Sequence, residues 1–494
     1  MSCLEKLNEI RSSSGKPVTT GLGDAVIERF ARSDSSLQLA IDEALEQFRS
    51  LKTEYPDQIA LDENDQIDLI LNRFVNFYHD DTVNPYVPLA ARGPWIVTST
   101  GAVIHDSGGY GMLGLGHGPD PILGAMARPH VMANIMTPSF SQYRLVHALM
   151  GEVGHSLPGG CPFQRFLCLN SGSEAVTVAA RISDINAKLL TDPGGRHEGK
   201  AIKIMALKGA FHGRTDRPAQ FSDSTLQSYN THLASFRDRD VLLTVPPNDL
   251  NALRAVFEQV ERDQVFVESM FIEPVMGEGD PGMAITPEFY DLAHQLTRQH
   301  GSLLLVDSIQ AGLRARGCLS IVDYPGFGNS GAPDMETYSK AMNAGQYPLS
   351  VLAMTEATAG LFRKGVYGNT MTTNPRAMDV AGAVLAQVTP ELRLNIVERG
   401  REFLLKLKAM QDELGGPITK VQGTGLLFSC ELSPEYKCYG TGSIEHYLRT
   451  RGIGVIHGGK NSLRFTPHFR ITSAEVDLMI DGIRDGLVNG PKAG

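Results

Sequence analysis

Between Phe166 and Lys340 the sequence returns repeatedly to a short apolar run, a turn, and a stretch with helical spacing. The runs are Phe166-Leu167-Cys168-Leu169, Ile202 to Leu207, Val265 to Val275 and Leu303 to Asp307. Strands alternating with helices in this way build a mainly parallel sheet covered by helices, so the expected class is α/β.

At 494 residues the chain is too long for one hydrophobic core, and two or more lobes are expected. Residues 1–95 are charged and helical in pattern, with candidate helices over Ser36 to Ser50 and Asp65 to Tyr78. They read as an N-terminal arm that joins the small domain or a subunit contact. Trp95 to Thr98 and Ala102 to Ile104 look like a hairpin, and residues 96–380 form the large domain. The third region, 381–494, is a smaller α+β domain. Around its start lie helices over Pro375 to Gln387 and Leu392 to Leu414, and then a strand-rich segment, Ile418 to Leu432. Thr472-Ser473-Ala474-Glu475 is a capping box that opens the last helix.

The formal net charge of −10 argues against a nucleic-acid binder, which normally shows a basic face. Six scattered cysteines, without a C-x-x-C pair, read as reduced structural thiols, and no metal site is expected. No apolar run reaches membrane-spanning length. The opening residues lack a signal-peptide apolar region and the arginines of a transit peptide, so a cytoplasmic enzyme is expected. One glycine pattern is misleading. Gly109-Tyr110-Gly111-Met112-Leu113-Gly114 has dinucleotide-fingerprint spacing but continues as a loop through Pro121, where the fingerprint requires a helix.

The candidate chemistry sits at the ends of the apolar runs. Asn170-Ser171-Gly172-Ser173-Glu174-Ala175 joins a strand to a helix, where free N–H groups and the helix dipole suit a phosphate. Asp307 ends the run Leu303 to Asp307, and Lys340 leaves the β-like run Met335 to Lys340. A carboxylate and an amine so placed suit pyridoxal phosphate (PLP). That cofactor needs an acid group at its pyridine nitrogen and an amine to hold its aldehyde as a Schiff base.

Asn170 to Ala175, Phe211-His212-Gly213-Arg214, Glu273 to Gly279, Asp307 to Gln310 and Lys340 resemble, in order and approximate spacing, the class III PLP-dependent aminotransferases. Gly345 to Leu349, Thr370 with Asn374-Pro375, and Arg464 to Pro467 extend the resemblance, which includes lysine ε-, ornithine and acetylornithine aminotransferases. It implies fold type I, with a mainly parallel seven-stranded sheet in the large domain and a smaller α+β domain. It also implies that Asp307 pairs with the pyridinium nitrogen, that Gln310 reaches the phenolic oxygen and that Phe211, beside His212, stacks on the ring. Gly172 and Ser173 would cup the phosphate, and Thr370 would reach it from the other subunit of a homodimer. Lys340 would carry the Schiff base and then move the substrate proton. Arg464 and Arg214 would clamp substrate carboxylates, Glu278 would pair with Arg464, and Glu273 would support the Asp307 or Gln310 network.

Some positions depart from the family pattern. Ser308 stands where many relatives have glutamate, and Ala311 where they have threonine. Thr372-Thr373 replaces a usual glycine pair, and Ala341 to Asn343 also differs. These changes bear on the substrate pocket rather than on the cofactor chemistry. The expected reaction moves an amino group from an ω-amino or diamino acid to 2-oxoglutarate. The alternatives are a racemase or aminomutase on the same scaffold, and a catalytically idle homologue. No nucleic-acid or membrane partner is expected.

Overall fold

The computed structural model describes residues 1–109, 111–132, 135–328 and 331–493, so Tyr110 of the glycine-rich loop lies outside the described residues. The chain forms two compact units. One is Met1–Asp120 with Glu398–Gln422 and Leu426–Gly494, and the other is Pro121–Val397 with Gly423–Gly425.

The second unit is built on seven strands: β1 (Arg165–Leu169), β2 (Ala201–Leu207), β3 (Leu242–Val245), β4 (Val265–Ile272), β5 (Leu303–Asp307), β6 (Met335–Tyr338) and β7 (Ser350–Met354). Their order across the sheet is β1-β7-β6-β5-β4-β2-β3. The pairs β6/β5, β5/β4, β4/β2 and β2/β3 are parallel, and β7 is antiparallel to both of its neighbours. Every residue of β4 to β7 is buried, as expected of central strands covered on both faces. The helix Gly172–Thr191 lays Val176, Ala179, Ala180 and Ile182 into a core with Phe271, Leu305 and Leu352. Truncating a side chain such as Leu305 to Ala would cost about 2–5 kcal/mol.

β4 is shorter than its apolar run, which continues to Val275. Pro274 has no N–H for a ladder, and Glu273 turns its carboxylate onto the N–H groups of Phe211 and Gly277, both at 3.0 Å. The parallel strands β2, β4, β5 and β6 thus all end beside polar loops at one edge. In such sheets, that edge is where ligands bind.

The expected hairpin forms, but in the first unit and outside the seven-stranded sheet: Trp95–Thr98 pairs antiparallel with Val103–Asp106 in the register Trp95↔His105, Ile96↔Ile104. Pro88–Arg92 adds on one side, and Ile453–Gly454, from the far end of the chain, adds in parallel on the other. A second sheet runs Ile418–Thr424, Leu427–Leu432, Ser462–Phe465, Ile456–Gly458. The helix Ser35–Glu54 buries Leu37, Ala40, Ile41, Ala44, Leu45 and Phe48 at helical spacing. Its cap, Asp34, accepts from Ser36 N–H at 2.8 Å and from the Trp95 indole at 2.6 Å, tying helix to hairpin. The helix expected over Asp65 to Tyr78 stops at Leu71, and Phe74, Val75 and Phe77 beyond it are exposed.

Glu475 fills the capping box of the helix Ser473–Asn489 with one oxygen, which accepts from Thr472 N–H at 2.7 Å. The other oxygen meets the imidazoles of His105 (3.1 Å) and His468 (2.8 Å). Among the described residues, no helix is long and apolar enough to cross a membrane.

Candidate active site

A cavity of about 170 Å³ opens at the carboxyl ends of the parallel strands. Its lining brings together Gly172, Ser173, Phe211, His212, Glu273, Asp307, Gln310 and Lys340, residues up to 168 positions apart in sequence. Ser171, Gly213, Ile309 and Ser339 complete it; Ile309 and Ser339 were singled out by no motif of their own.

Asp307 closes β5 with its side chain held at three points. Oδ2 meets His212 Nδ1 at 2.8 Å, while Oδ1 accepts from Ile309 N–H (3.2 Å) and the Thr337 hydroxyl (3.1 Å). Thr337 faces Asp307 because β5 and β6 pair in the register Asp307↔Thr337. His212 is fully buried, its ring standing edge-on to Phe271 with centroids 5.7 Å apart. Its Nε2 is buried without a hydrogen-bond partner among the described residues, so this imidazole serves the carboxylate through Nδ1.

Glu273 accepts from the Phe211 N–H and so fixes the loop on which Phe211 stands. Burial pushes its carboxyl up to about 7; His212 works against that rise and Asp307 adds to it.

The helix Gly172–Thr191 points its first turn at the cavity, where the N–H groups of Gly172 and Ser173 have no intrahelical acceptor. Ser171 and Glu174 form a reciprocal capping box. Glu174 does more than cap. Its Oε1 accepts from Tyr367 Oη (3.0 Å) and Asn369 Nδ2 (2.6 Å), which anchors the loop leading to Thr370. Gly213 packs against this turn with φ +119°, and a Cβ there would lie 2.3 Å from Ser173 Oγ. A Cβ on Gly277 would meet the Gln310 side chain at 2.4 Å. Both glycines therefore keep space for a ligand-facing hydroxyl or amide.

Lys340 follows β6 by two residues and takes φ +48°, a left-handed conformation unusual for a lysine. Strain of this kind costs about 1–3 kcal/mol and concentrates at functional positions. The cavity offers a helix terminus for a phosphate, an aromatic ring, a fixed carboxylate opposite, an amide and an amine. This donor set fits pyridoxal phosphate.

Other residues singled out in the sequence lie outside this lining. Thr370 is exposed and followed by exposed Met371. Arg214 is exposed, with its guanidinium carbon 5.5 Å from the Phe211 ring centroid. Glu278 is half-buried in the turn after β4. Arg464 belongs to the other unit, in the strand Ser462–Phe465, and is 1 % exposed. Sequence reasoning missed Thr337, which becomes legible only through the β5/β6 register.

A mainly parallel seven-stranded sheet with this cavity at its carboxyl edge defines an α/β enzyme of PLP-dependent fold type I. The family described as Aminotransferase class-III matches residues 77–487, and the chain belongs to it. It is therefore a PLP-dependent transaminase. Among curated relatives, it is 27 % identical to an acetylornithine/succinyldiaminopimelate aminotransferase of Yersinia pestis, over 83 % of this chain and 92 % of the relative. It is 30 % identical to a succinylornithine transaminase of Citrobacter koseri, over 64 % of this chain and 72 % of the relative. Its fold is similar to that of the ornithine aminotransferase from Toxoplasma gondii ME49, with TM-score 0.73 and 22 % identity over 89 % of this chain and 98 % of that one.

Proposed function

We propose that the enzyme takes the amino group of an ω-amino or diamino acid, of ornithine or lysine type or an N-acylated form of it, and passes it to 2-oxoglutarate. The shared lining of one cavity by Lys340, Asp307, Gln310, Phe211, Gly172 and Ser173 carries this reading, and the names of the curated relatives support the substrate class.

Pyridoxal phosphate bound there would supply an aldehyde to capture the amine and a protonated ring to accept the electron pair of the breaking C–H bond. The remaining work falls to the chain's own residues. Asp307, braced by His212 and Thr337, would hold a proton on the ring nitrogen. Gln310 would orient the ring's phenolic oxygen, Phe211 would stack on the ring, His212 steadies Asp307, and the helix terminus at Gly172 and Ser173 would bind the phosphate. Lys340 Nζ would hold the aldehyde at rest and would serve as the base that moves the substrate proton. Arg464 grips the α-carboxylate of glutamate, Glu278 pairs with Arg464 when the ω-amine enters first, and Arg214 is the second carboxylate clamp. Glu273 supports the site by fixing the Phe211 loop.

The working form is a homodimer in the cytoplasm. Val131, Ile135, Met136, Phe140, Tyr143 and Met371 are large apolar residues left exposed. A pocket lined by Ile135, Leu145, Thr373 and Met378 brings two stretches of this surface together. Exposed apolar surface of this kind marks a subunit contact. Thr370, one residue from Met371, would complete the phosphate site of the partner. All six cysteines are unpaired, which suits a reducing compartment.

The test is optical. Protein loaded with pyridoxal phosphate is expected to lose its yellow absorption when the donor amine is added, and to regain it with 2-oxoglutarate. Turnover of a single amino acid without any keto acid would instead establish the racemase or aminomutase. Lys340→Ala should abolish turnover with the fold intact.

A further inference from the structure

Glu336 lies in the middle of β6, is 0 % exposed, and has a carboxylate filled to capacity. Oε1 accepts from the Ser308 hydroxyl at 2.6 Å and the Ile321 N–H at 3.0 Å. Oε2 accepts from the Ser320 hydroxyl and, at 3.0 Å, from Tyr338 Oη. None of these four donors carries a charge. A buried carboxylate without a cation is costly, and hydrogen bonds must offset the lost hydration. An apolar residue would satisfy a central strand at no such cost, so the carboxylate has a task.

The donors show what the task is. Ser308, on one side, and Ser320 with Ile321, on the other, are the two ends of the segment that leaves β5. That segment begins immediately after Asp307 and carries Ile309 and Gln310, which line the cavity. One carboxylate therefore closes the loop. In the register Val306↔Glu336 and Asp307↔Thr337, neighbouring β6 residues hold opposite faces of the strand end. Thr337 holds Asp307 on the cavity side, and Glu336 holds Ser308 behind it.

Position 308 itself offers only a hydroxyl, and that hydroxyl reaches the carboxylate on the adjacent strand. We infer that Glu336 is the positioning residue that sets Asp307 and Gln310 against the cofactor, by holding from the next strand both ends of the segment that follows Asp307. The inference rests on the reading of Asp307 and Gln310 as cofactor contacts.

The test uses the full chain, with pyridoxal phosphate as probe. Three properties are measured: the thermal midpoint without cofactor, the dissociation constant of the cofactor, and the pH midpoint of its visible absorption band when bound. Ser308→Ala and Glu336→Gln should both weaken cofactor binding, Glu336→Gln by about tenfold, and both should move the pH midpoint in the same direction. In Ser308→Glu/Glu336→Ala the carboxylate moves to the other end of the same hydrogen bond, just beyond β5. This variant should recover affinity and pH midpoint to within about twofold of the starting protein, whereas Glu336→Ala alone should not. A purely structural role would lower the thermal midpoint and leave the absorption midpoint in place. The inference is overturned if folded Ser308→Ala and Glu336→Gln keep the original affinity and absorption midpoint. It is equally overturned if the transposed variant regains neither property. Asp307→Asn separates the two levels: if it leaves the band unmoved, the reading of Asp307 fails. If it shifts the band while the Ser308 and Glu336 variants do not, only the role of Glu336 fails.

Discussion

Gly213→Ala puts one methyl group where the structure leaves no room for it. The new Cβ would stand 2.3 Å from Ser173 Oγ, 3.1 Å from Ser173 Cβ and 3.2 Å from Pro218 Cβ. The hydroxyl has to withdraw by about 1 Å to reach ordinary contact, and a hydrogen bond at its outer limit does not survive such a move. A hydrogen bond to a charged group is worth about 1.5–3 kcal/mol, so the cofactor phosphate should bind roughly 10- to 100-fold more weakly. The φ of +119° adds a separate cost of about 1–3 kcal/mol to folding, because an L residue strains there. The two effects separate by assay: equilibrium dialysis with pyridoxal phosphate reads the first, and denaturant unfolding of the cofactor-free protein reads the second. Ser173→Ala removes the clashing oxygen, so Gly213→Ala added to it should weaken binding little further. The two changes are therefore strongly non-additive. Wild-type cofactor affinity in Gly213→Ala, or simple addition of the two losses, would refute this account of the phosphate cup.

Glu174→Gln should weaken cofactor binding although Glu174 does not line the cavity, because the loop held by Tyr367 and Asn369 would release Thr370. In hybrid dimers the loss should fall on the unsubstituted subunit, as read by cofactor titration. Glu273 is raised by burial to about 7 in the folded chain, so it takes up a proton more readily there than when unfolded. Its contribution is fully present below about pH 4.5 and is lost as pH rises through 7, a change of about 3 kcal/mol. Glu273→Gln should flatten that part of the stability profile of the cofactor-free protein, as followed by denaturant unfolding from pH 5 to 8. Glu475 acts in the opposite sense. Burial opposes its ionisation, but His468 and His105 overcome that and hold it well below the usual carboxylate range. Stability from Glu475 is present above its unfolded pKa and lost as pH falls, so Glu475→Gln should reduce stability at neutral pH and less so in strong acid.

Much of this site could be read in the sequence because its chemistry sits at punctuation marks. Asp307 ends an apolar run, Gly172 and Ser173 open a helix, and Lys340 leaves a strand; each is marked by its immediate neighbours. The strand Leu303–Asp307, the hairpin and the capping box at Thr472 were legible for the same reason. What depends on pairing between distant segments was not. Thr337 and Glu336 look like polar interruptions of a short strand until the β5/β6 register sets them against Asp307 and Ser308. Ile453–Gly454 is too short to announce itself, yet it joins the sheet of the N-terminal hairpin. The helix expected over Asp65 to Tyr78 failed differently: Phe74, Val75 and Phe77 supply helical spacing but are exposed, so no buried face sustains a helix beyond Leu71.

The most direct measurement is to treat the pyridoxal-phosphate-loaded protein with borohydride, digest it, and sequence the peptide that carries the cofactor by mass spectrometry. One labelled peptide, modified at Lys340, is expected. Label on another lysine, or no covalent label at all in protein that is visibly yellow, would contradict it.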